Sequence, residues 1–176
     1  AEQLRDLSGI QQERVASLKR RFRVRFEQRV QQGTALKQYD YLDILAQAWS
    51  AWKLPHSTGG ILQDIGSSNF WYAAVLYAFF RPAETVGIEL EGHRLYINGY
   101  SRLDYAHGYM QDLPNTRFFV GDYARYDHPA DVVTAWYPFV TPGPVLAWGM
   151  PLSLFAPRAL FHRVVKNLQP HGLFFM

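Results

Sequence analysis

The feature that most constrains the fold of this 176-residue chain is an alternation of short apolar strands with helical segments, which begins after residue 60. Consecutive parallel strands need a long crossover connection, and a helix is the usual one. The alternation therefore predicts an α/β fold in which helices sandwich a Rossmann-like parallel sheet. The predicted strands cover residues 61–65, 85–90, 117–120, 131–135 and 173–176.

Helical segments are predicted both before this alternation and within it. An amphipathic helix is expected over residues 9–32, and a second helix ends before Pro55. We interpret residues 1–55 as an N-terminal helical extension that packs on a core domain of residues 60–176. The helices predicted inside the core cover residues 69–80, a stretch that reaches about residue 111, and residues 156–168.

Glycine and polar residues follow the first three predicted strands. Ligands of open parallel sheets bind beyond the carboxyl ends of the strands, so these residues are candidates for a binding site. Gly66 and the small residues after it let the backbone approach a ligand closely. Glu89 ends the second strand, where an ionised carboxylate can accept hydrogen bonds from two ribose hydroxyls. After the third strand, Asp122 can accept a bond from an exocyclic amine, and Tyr123 can stack beside a base.

Five short motifs in a fixed order resemble those of the class I S-adenosylmethionine-dependent methyltransferases. They are DIGSS at 64–68, VGIE at 86–89, VGDY at 120–123, ADVV at 130–133 and LQPHGL at 168–173. The resemblance extends from about residue 60 to residue 176. It implies that the chain binds S-adenosylmethionine and transfers its methyl group to an acceptor, leaving S-adenosylhomocysteine. The acceptor, a small molecule or a macromolecule, is not identified, and no catalytic residue is assigned.

The resemblance also implies which residues contact the cofactor and the acceptor. Glu89 would hold the ribose, Leu90 would pack on one face of the adenine, and Asp122 would accept a bond from the adenine amine. The remaining implied residues lie in the loops that follow the strands. They are Asp64, Gly66 and Ser68 in the methionine-binding turn, Tyr123 beside the adenine, and Trp136 and Tyr137 at the acceptor.

The sequence departs from the family pattern at three places. Ser68 and Phe70 stand where the family commonly has glycine, so Phe70 must point away from the cofactor. Residues 136–139 are only faintly similar to the Asn/Asp-Pro-Pro-aromatic element of amino-group methyltransferases, and we do not assign that chemistry. The family fold has two further strands after the fifth one. We expect that these C-terminal strands are missing from the sequence, which ends at Met176.

Two other functions stay open at this point. The glycine-poor turn and the missing acceptor motif are compatible with a non-catalytic Rossmann-like binding module. A NAD(P)-dependent oxidoreductase is less favoured, because its Gly-x-Gly-x-x-Gly fingerprint is met at Gly66 but not at Ser68 or Trp71. It would also leave Asp64 and Asp122 without roles.

A basic run lies in the first predicted helix. If residues 9–32 form one continuous helix, its basic side chains scatter around several faces, so few of them could follow one nucleic-acid backbone. We therefore favour a solvated helix surface and do not favour nucleic acid as a partner. The residues concerned are Lys19, Arg20, Arg21, Arg23, Arg25 and Arg29.

Composition sets the remaining expectations. The chain has no cysteine, which excludes disulfides and thiolate metal sites, and its histidines lack paired metal-binding spacing. No apolar run approaches the roughly 20 residues that span a bilayer, and the first residues lack the apolar core of a signal peptide. We expect a cytoplasmic protein without a membrane or metal partner. The loop at 141–151, rich in proline and glycine, fits a substrate-binding loop and a rigid connector equally well.

Overall fold

The fold is built on one parallel five-stranded sheet. The structure, a computed structural model, describes residues 4, 6–29, 32–54, 59–136, 138 and 140–176. The strands lie in the order β3-β2-β1-β4-β5, so the strand order reverses between β1 and β4. The predicted α/β, Rossmann-like class is confirmed. The strands are β1 (Ile61–Ile65), β2 (Glu84–Glu89), β3 (Thr116–Val120), β4 (Ala130–Thr134) and β5 (Leu168–Phe175).

Six α-helices accompany these strands in the described part of the chain. Short 3-10 turns at Phe26–Gln28, Gln32–Thr34, Tyr123–Arg125 and Leu152–Leu154 link several elements. Among the helices in the described ranges, none combines the length and the apolar character that crossing a lipid bilayer requires. The helices are α1 (Gly9–Phe22), α2 (Ala35–Trp52), α3 (Ala73–Phe80), α4 (Arg102–Met110), α5 (Pro142–Ala147) and α6 (Pro157–Asn167).

Apolar side chains pack on both faces of the sheet. Successive strand residues point to opposite faces, and β4 shows this directly. Val132 belongs to the cluster that contains buried residues of α1, α2, α3 and α4, whereas Val133 belongs to the cluster around Val164 of α6. Seven of the eight residues of α3 are buried, which an all-round apolar helix requires. The N-terminal helices therefore cover the same face of the sheet as α3.

The helix predicted for residues 9–32 is wrong in its extent. It ends at Phe22, because Arg23 adopts the left-handed conformation with φ of 55°. The chain then turns, and Phe26 enters the core from a separate 3-10 turn, where its N–H donates to the Tyr39 hydroxyl (3.2 Å). The apolar spacing of Phe22 and Phe26 thus indicated burial correctly, but two elements supply the two side chains.

Two further helices start later than predicted. Helix α3 begins at Ala73 instead of residue 69, because Ser68 and Phe70 have φ of 53° and 57° and interrupt any helix there. Residues 91–101 form turns that bridge Leu95 to Ser101, so α4 begins only at Arg102.

Strand β5 is longer than the predicted 173–176 and begins at Leu168. Its pairing with β4 is irregular between Ala130 and Val132, where Pro170 and Gly172 lie opposite. Such residues normally end a strand, but an edge strand tolerates them because one side of its backbone is not paired.

Candidate functional site

The carboxyl ends of β1, β2 and β3 meet at one edge of the sheet. The N–H of Gly66 donates to the carbonyl of Ile88 (2.9 Å), and the N–H of Gly121 donates to the carbonyl of Glu89 (3.0 Å). The N–H of Ser68 donates to the Glu89 carboxylate (2.8 Å). The structure therefore brings Gly66, Ser68, Glu89 and Gly121 together beside the switch point, where ligands of open parallel sheets bind.

The turn after β1 contains three left-handed residues. Gly66, Ser68 and Phe70 have φ of 69°, 53° and 57°. A glycine adopts this conformation freely, whereas other residues lose about 1–2 kcal/mol each. A Cβ added at Gly66 would meet no heavy atom within 4 Å, so open space borders this turn. The two positions where the family commonly has glycine are thus left-handed here as well, although serine and phenylalanine occupy them.

Phe70 points into the core and away from this edge. Its side chain is fully buried, and its ring lies 6.1 Å from the Phe118 ring. Gly87 of β2 makes room for it, since a Cβ at Gly87 would lie 2.8 Å from the Phe70 ring. Phe70 therefore does not crowd the open turn, as its place at a common glycine position requires.

Glu89 is buried and hydrogen-bonded through both carboxylate oxygens. One oxygen accepts from the Ser68 N–H, and the other accepts from the Glu91 N–H (2.9 Å) and from Nη1 of Arg102 (2.9 Å). The Arg102 side chain is itself only 6 % exposed and lies 3.7 Å from the Glu91 carboxylate. An ionised carboxylate offers about four acceptor sites, so roughly one remains on Glu89.

The segment after β4 folds back over this ion pair. The guanidinium of Arg102 lies 5.4 Å from the centre of the Trp148 ring, and that of Arg94 lies 5.9 Å from it. Nη1 of Arg94 also donates to the Trp148 carbonyl (3.2 Å). Trp148 therefore covers the arginine that pairs with Glu89, and the 141–151 loop contacts the candidate site.

Leu90 and Asp122 are exposed near the same edge. Leu90 follows Glu89 directly and is 39 % exposed. Asp122 follows β3, and its Oδ1 accepts from the Ala124 N–H (2.9 Å), which caps the 3-10 turn at Tyr123–Arg125. The geometry leaves the second oxygen of Asp122 without a hydrogen bond from the described residues.

Asp64 and Tyr123 lie inside the protein instead of lining the edge. Asp64 is fully buried and accepts hydrogen bonds from the Tyr72 hydroxyl (2.7 Å) and from the Thr134 hydroxyl. Burial raises the pKa of the Asp64 carboxyl to about 6, against the opposing effect of these hydrogen bonds. The Tyr123 hydroxyl donates to Gln63 (2.9 Å), and burial raises its pKa to about 12. Neither side chain has a surface that faces the open turn.

The raised pKa of Asp64 predicts a specific pH dependence of stability. The folded state binds the proton more tightly than the unfolded state, so this group stabilises the protein below about pH 4. That contribution is lost as the pH rises to about 6, and the displacement from 3.8 corresponds to roughly 3 kcal/mol. We expect Asp64→Asn to remove this part of the dependence in urea unfolding measured from pH 4 to pH 7. Asp122→Asn, at an exposed position, is the control, and parallel curves for wild type and Asp64→Asn would contradict the assignment.

Trp136 belongs to an aromatic cluster that joins α2 to the end of β4. Its ring centre lies 4.4 Å from that of Tyr41, 5.9 Å from that of Tyr72 and 5.4 Å from that of Phe175. The indole Nε1 is buried and has no hydrogen-bond partner within the described part of the chain. Tyr137, the other residue that the resemblance places at the acceptor, lies outside the described residues.

Arg102 and Trp148 contact the candidate site and were missed in the sequence. One available signal was the Ser101-x-x-Asp104 pattern, which is typical of a helix start. In the structure the Ser101 hydroxyl accepts from the Asp104 N–H (3.1 Å), and the Asp104 carboxylate accepts from the Ser101 N–H (2.7 Å). This capping box places Arg102 at the first position of α4, next to Glu89. Trp148 lies in the 141–151 loop, whose sequence fits a substrate-binding loop as well as a rigid connector.

Comparison with known proteins identifies the fold. The sequence matches no protein-family model and no curated protein sequence. The structure is similar to phosphoethanolamine N-methyltransferase 2 of Haemonchus contortus, solved in complex with S-adenosylmethionine (TM-score 0.51, 17 % identity). It is equally similar to a Methanococcus maripaludis protein described as a candidate S-adenosylmethionine-dependent methyltransferase (TM-score 0.51, 16 % identity). The fold is that of S-adenosylmethionine-dependent methyltransferases.

The similarity covers most of this chain but only part of these neighbours. The alignment includes 85 % of this chain and 34 % of the Haemonchus protein, and 76 % of this chain and 53 % of the Methanococcus protein. The chain thus spans about half the length of these structures or less.

Proposed function

We propose that this chain binds S-adenosylmethionine at the carboxyl edge of its sheet and transfers the methyl group to an acceptor that is not identified. The observation that carries the proposal is the contact between the left-handed turn after β1 and the end of β2. There the Ser68 N–H and the Glu89 carboxylate meet beside open space at Gly66. The shared fold supports the same assignment.

The residues at this edge fit the cofactor by their chemistry. Glu89 would accept from the ribose hydroxyls, the exposed face of Leu90 would pack on the adenine, and the second oxygen of Asp122 would accept from its amine. Gly66 and Ser68 would place backbone against the methionine part. Two ribose hydroxyls need two acceptor sites on Glu89, and Arg102 already occupies one of the sites on this carboxylate. Arg102 must therefore release that site when the ribose binds.

Asp64 and Tyr123 support this arrangement from within the protein. Asp64 links the end of β1 to Thr134 of β4 and to Tyr72 at the start of α3, which holds the turn between them. The bond from Tyr123 to Gln63 of β1 anchors the 3-10 turn that Asp122 caps. We therefore propose both as positioning residues and omit them from the set that touches the cofactor.

Methyl transfer requires mainly that the protein align the cofactor with the acceptor. When bound, the cofactor supplies a methyl group that its sulfonium already activates, so the chain contributes proximity and orientation. A general base is needed only for an acceptor that is protonated at working pH, and we assign none. Trp136 and Tyr137, which follow β4 in the sequence, are proposed to line the acceptor.

A non-catalytic binding module is the second candidate function. The observation that favours it is the Arg102–Glu89 ion pair beneath Trp148, which occupies part of the carboxylate that the cofactor would need. A NAD(P)-dependent oxidoreductase has less support, because Ser68 and Trp71 stand at the second and third glycine positions of the dinucleotide-binding fingerprint.

Ligand-induced stabilisation distinguishes these functions. We expect S-adenosylmethionine and S-adenosylhomocysteine to raise the melting temperature, because a ligand at 100 times its Kd stabilises the native state by about 2.7 kcal/mol. NAD and NADP should have no effect. The measurement belongs on the full-length gene product, since this chain covers about half of the solved neighbours' length. Stabilisation by NAD alone would overturn the assignment, and the absence of any shift would favour a module that does not use the cofactor.

A further inference from the structure

Four of the six basic residues between Lys19 and Arg29 line one cleft and do not scatter over one helix. Helix α1 ends at Phe22, and the chain turns back at Arg23. The turn encloses a cleft of about 870 Å³ that is lined by Lys19, Arg20, Arg23 and Arg25, among others. The premise of a continuous helix, under which these side chains diverge, therefore does not hold. We call this site the basic cleft.

The positive charge of the basic cleft is largely uncompensated. Arg20, Arg23 and Arg25 are exposed, and none of them forms an ion pair within the described residues. One carboxylate, that of Glu27, lies among the described lining residues. It is already engaged by Lys19 (2.8 Å) and by the Tyr39 hydroxyl (2.6 Å). Within the part of the chain that the structure describes, three guanidinium groups are thus left without a counter-charge.

The negative end of the α1 dipole accounts for only part of this cluster. Cations in the last turn of a helix are stabilised there, which explains Lys19, Arg20 and Arg21. Arg23 and Arg25 follow the end of the helix, and the dipole effect falls off within the last turn. Their position at the basic cleft therefore needs another explanation.

We propose that the basic cleft binds the phosphodiester backbone of a nucleic acid. Guanidinium groups match phosphate oxygens in bidentate geometry, and several of them in one concavity can contact successive phosphates. The proposal does not depend on methyl transfer, and its test needs no cofactor.

Salt-dependent RNA binding tests the proposal. Anisotropy of a fluorescein-labelled single-stranded RNA of mixed sequence is followed on the full-length protein, between roughly 50 and 200 mM KCl. Each phosphate contact contributes about 0.7 to the slope of log K against log[salt] for a single strand. The variant Arg20→Gln/Arg23→Gln/Arg25→Gln is expected to bind at least about tenfold more weakly at low salt, with a slope reduced by about 2.

The control removes the same number of charges elsewhere. Lys53→Gln/Arg81→Gln/Arg158→Gln changes three exposed cations that form no ion pair in the described ranges. We expect its affinity for the RNA to stay within about twofold of wild type, in keeping with a backbone contact local to the basic cleft.

Four results would overturn the proposal. Equal losses in both triple variants would mean that net charge alone attracts the RNA. Displacement of the RNA by inorganic phosphate, beyond the effect of KCl at equal ionic strength, would indicate a site for a single anion. Tighter binding to phosphatidylserine vesicles than to RNA, lost in the cleft variant, would indicate a membrane. The absence of salt-sensitive RNA binding in the wild type would leave the basic cleft without this function.

Discussion

Glu89→Gln is expected to weaken S-adenosylmethionine binding by about 1.5–3 kcal/mol, the range for hydrogen bonds to a charged group. The amide keeps the size of the side chain but has one acceptor oxygen where the carboxylate has two, and it carries no charge. A ribose hydroxyl would therefore lose its acceptor at the end of β2. Calorimetric titration of the full-length protein measures the change.

Glu91→Gln is the matched control for this substitution. Glu91 lies two residues further on, pairs with Arg94 (3.0 Å) and is 3.7 Å from Arg102, so it shares the arginine neighbour of Glu89. Its loss should change the affinity for the cofactor much less. Similar losses at both positions would show that the effect comes through Arg102 and not through the ribose.

The positions of the strands along the chain were predictable because each is a short apolar run bounded by turn residues. The edge at which Glu89 meets Ser68 follows from the same pattern, since parallel strands end at a common edge. The orientation of Asp64 was only partly accessible, since alternation places it on the same face as Leu62 but only the structure shows what covers that face. Side chains alternate along a strand, and Leu62 of β1 belongs to the cluster under the N-terminal helices, so Asp64 faces the same side. A carboxylate directed at a covering helix is buried.

The turns that redirect the chain were not predictable from local sequence. Arg23, Ser68 and Phe70 all have left-handed φ, although glycine is the residue that signals this conformation. Tertiary packing decides the conformation at Phe70, whose ring fills the space above Gly87. The end of α1 at Phe22 similarly follows from the burial of Phe26 beside Tyr39. The distribution of the arginines depends on that end, and a helical wheel drawn through residue 32 therefore misplaces those that follow Phe22.

The closure of the candidate site was also inaccessible from sequence. It requires residue 102 of α4 to meet residue 89 of β2, and residue 148 of a loop to cover residue 102. These contacts join segments that are far apart in the sequence, and no local pattern in any of the three predicts which segments it will contact.

Arg102→Met is expected to lower the free energy of unfolding by about 3–5 kcal/mol in the absence of cofactor. Removing one partner of a buried ion pair leaves the other charge uncompensated, which is the costly case. Both side chains of this ion pair are buried, since Arg102 is 6 % and Glu89 8 % exposed. Urea unfolding at neutral pH measures the loss. Arg102→Lys, which keeps the charge but not the planar fork, serves if the methionine variant does not fold.

Arg94→Met separates this effect from the loss of contact with Trp148. Arg94 also lies near the Trp148 ring and pairs with Glu91, but its side chain is 45 % exposed, so its ion pair contributes about 1 kcal/mol or less.

We expect the double variant Glu89→Gln/Arg102→Met to recover part of the stability that Arg102→Met loses, because it leaves no unpaired charge buried. If the double variant loses more unfolding free energy than the two single variants lose together, the two side chains do not form a direct pair.

The same Arg102 variant is expected to bind S-adenosylmethionine more tightly than the wild type. Arg102 occupies an acceptor site on Glu89, so a ribose hydroxyl must displace it, and removing it also removes that competition. Calorimetric titration of the full-length variant measures the change. Lower affinity, comparable to that of Glu89→Gln, would mean that Arg102 holds Glu89 in its binding orientation. A variant that loses stability and gains affinity would show that Arg102 and the cofactor compete for Glu89.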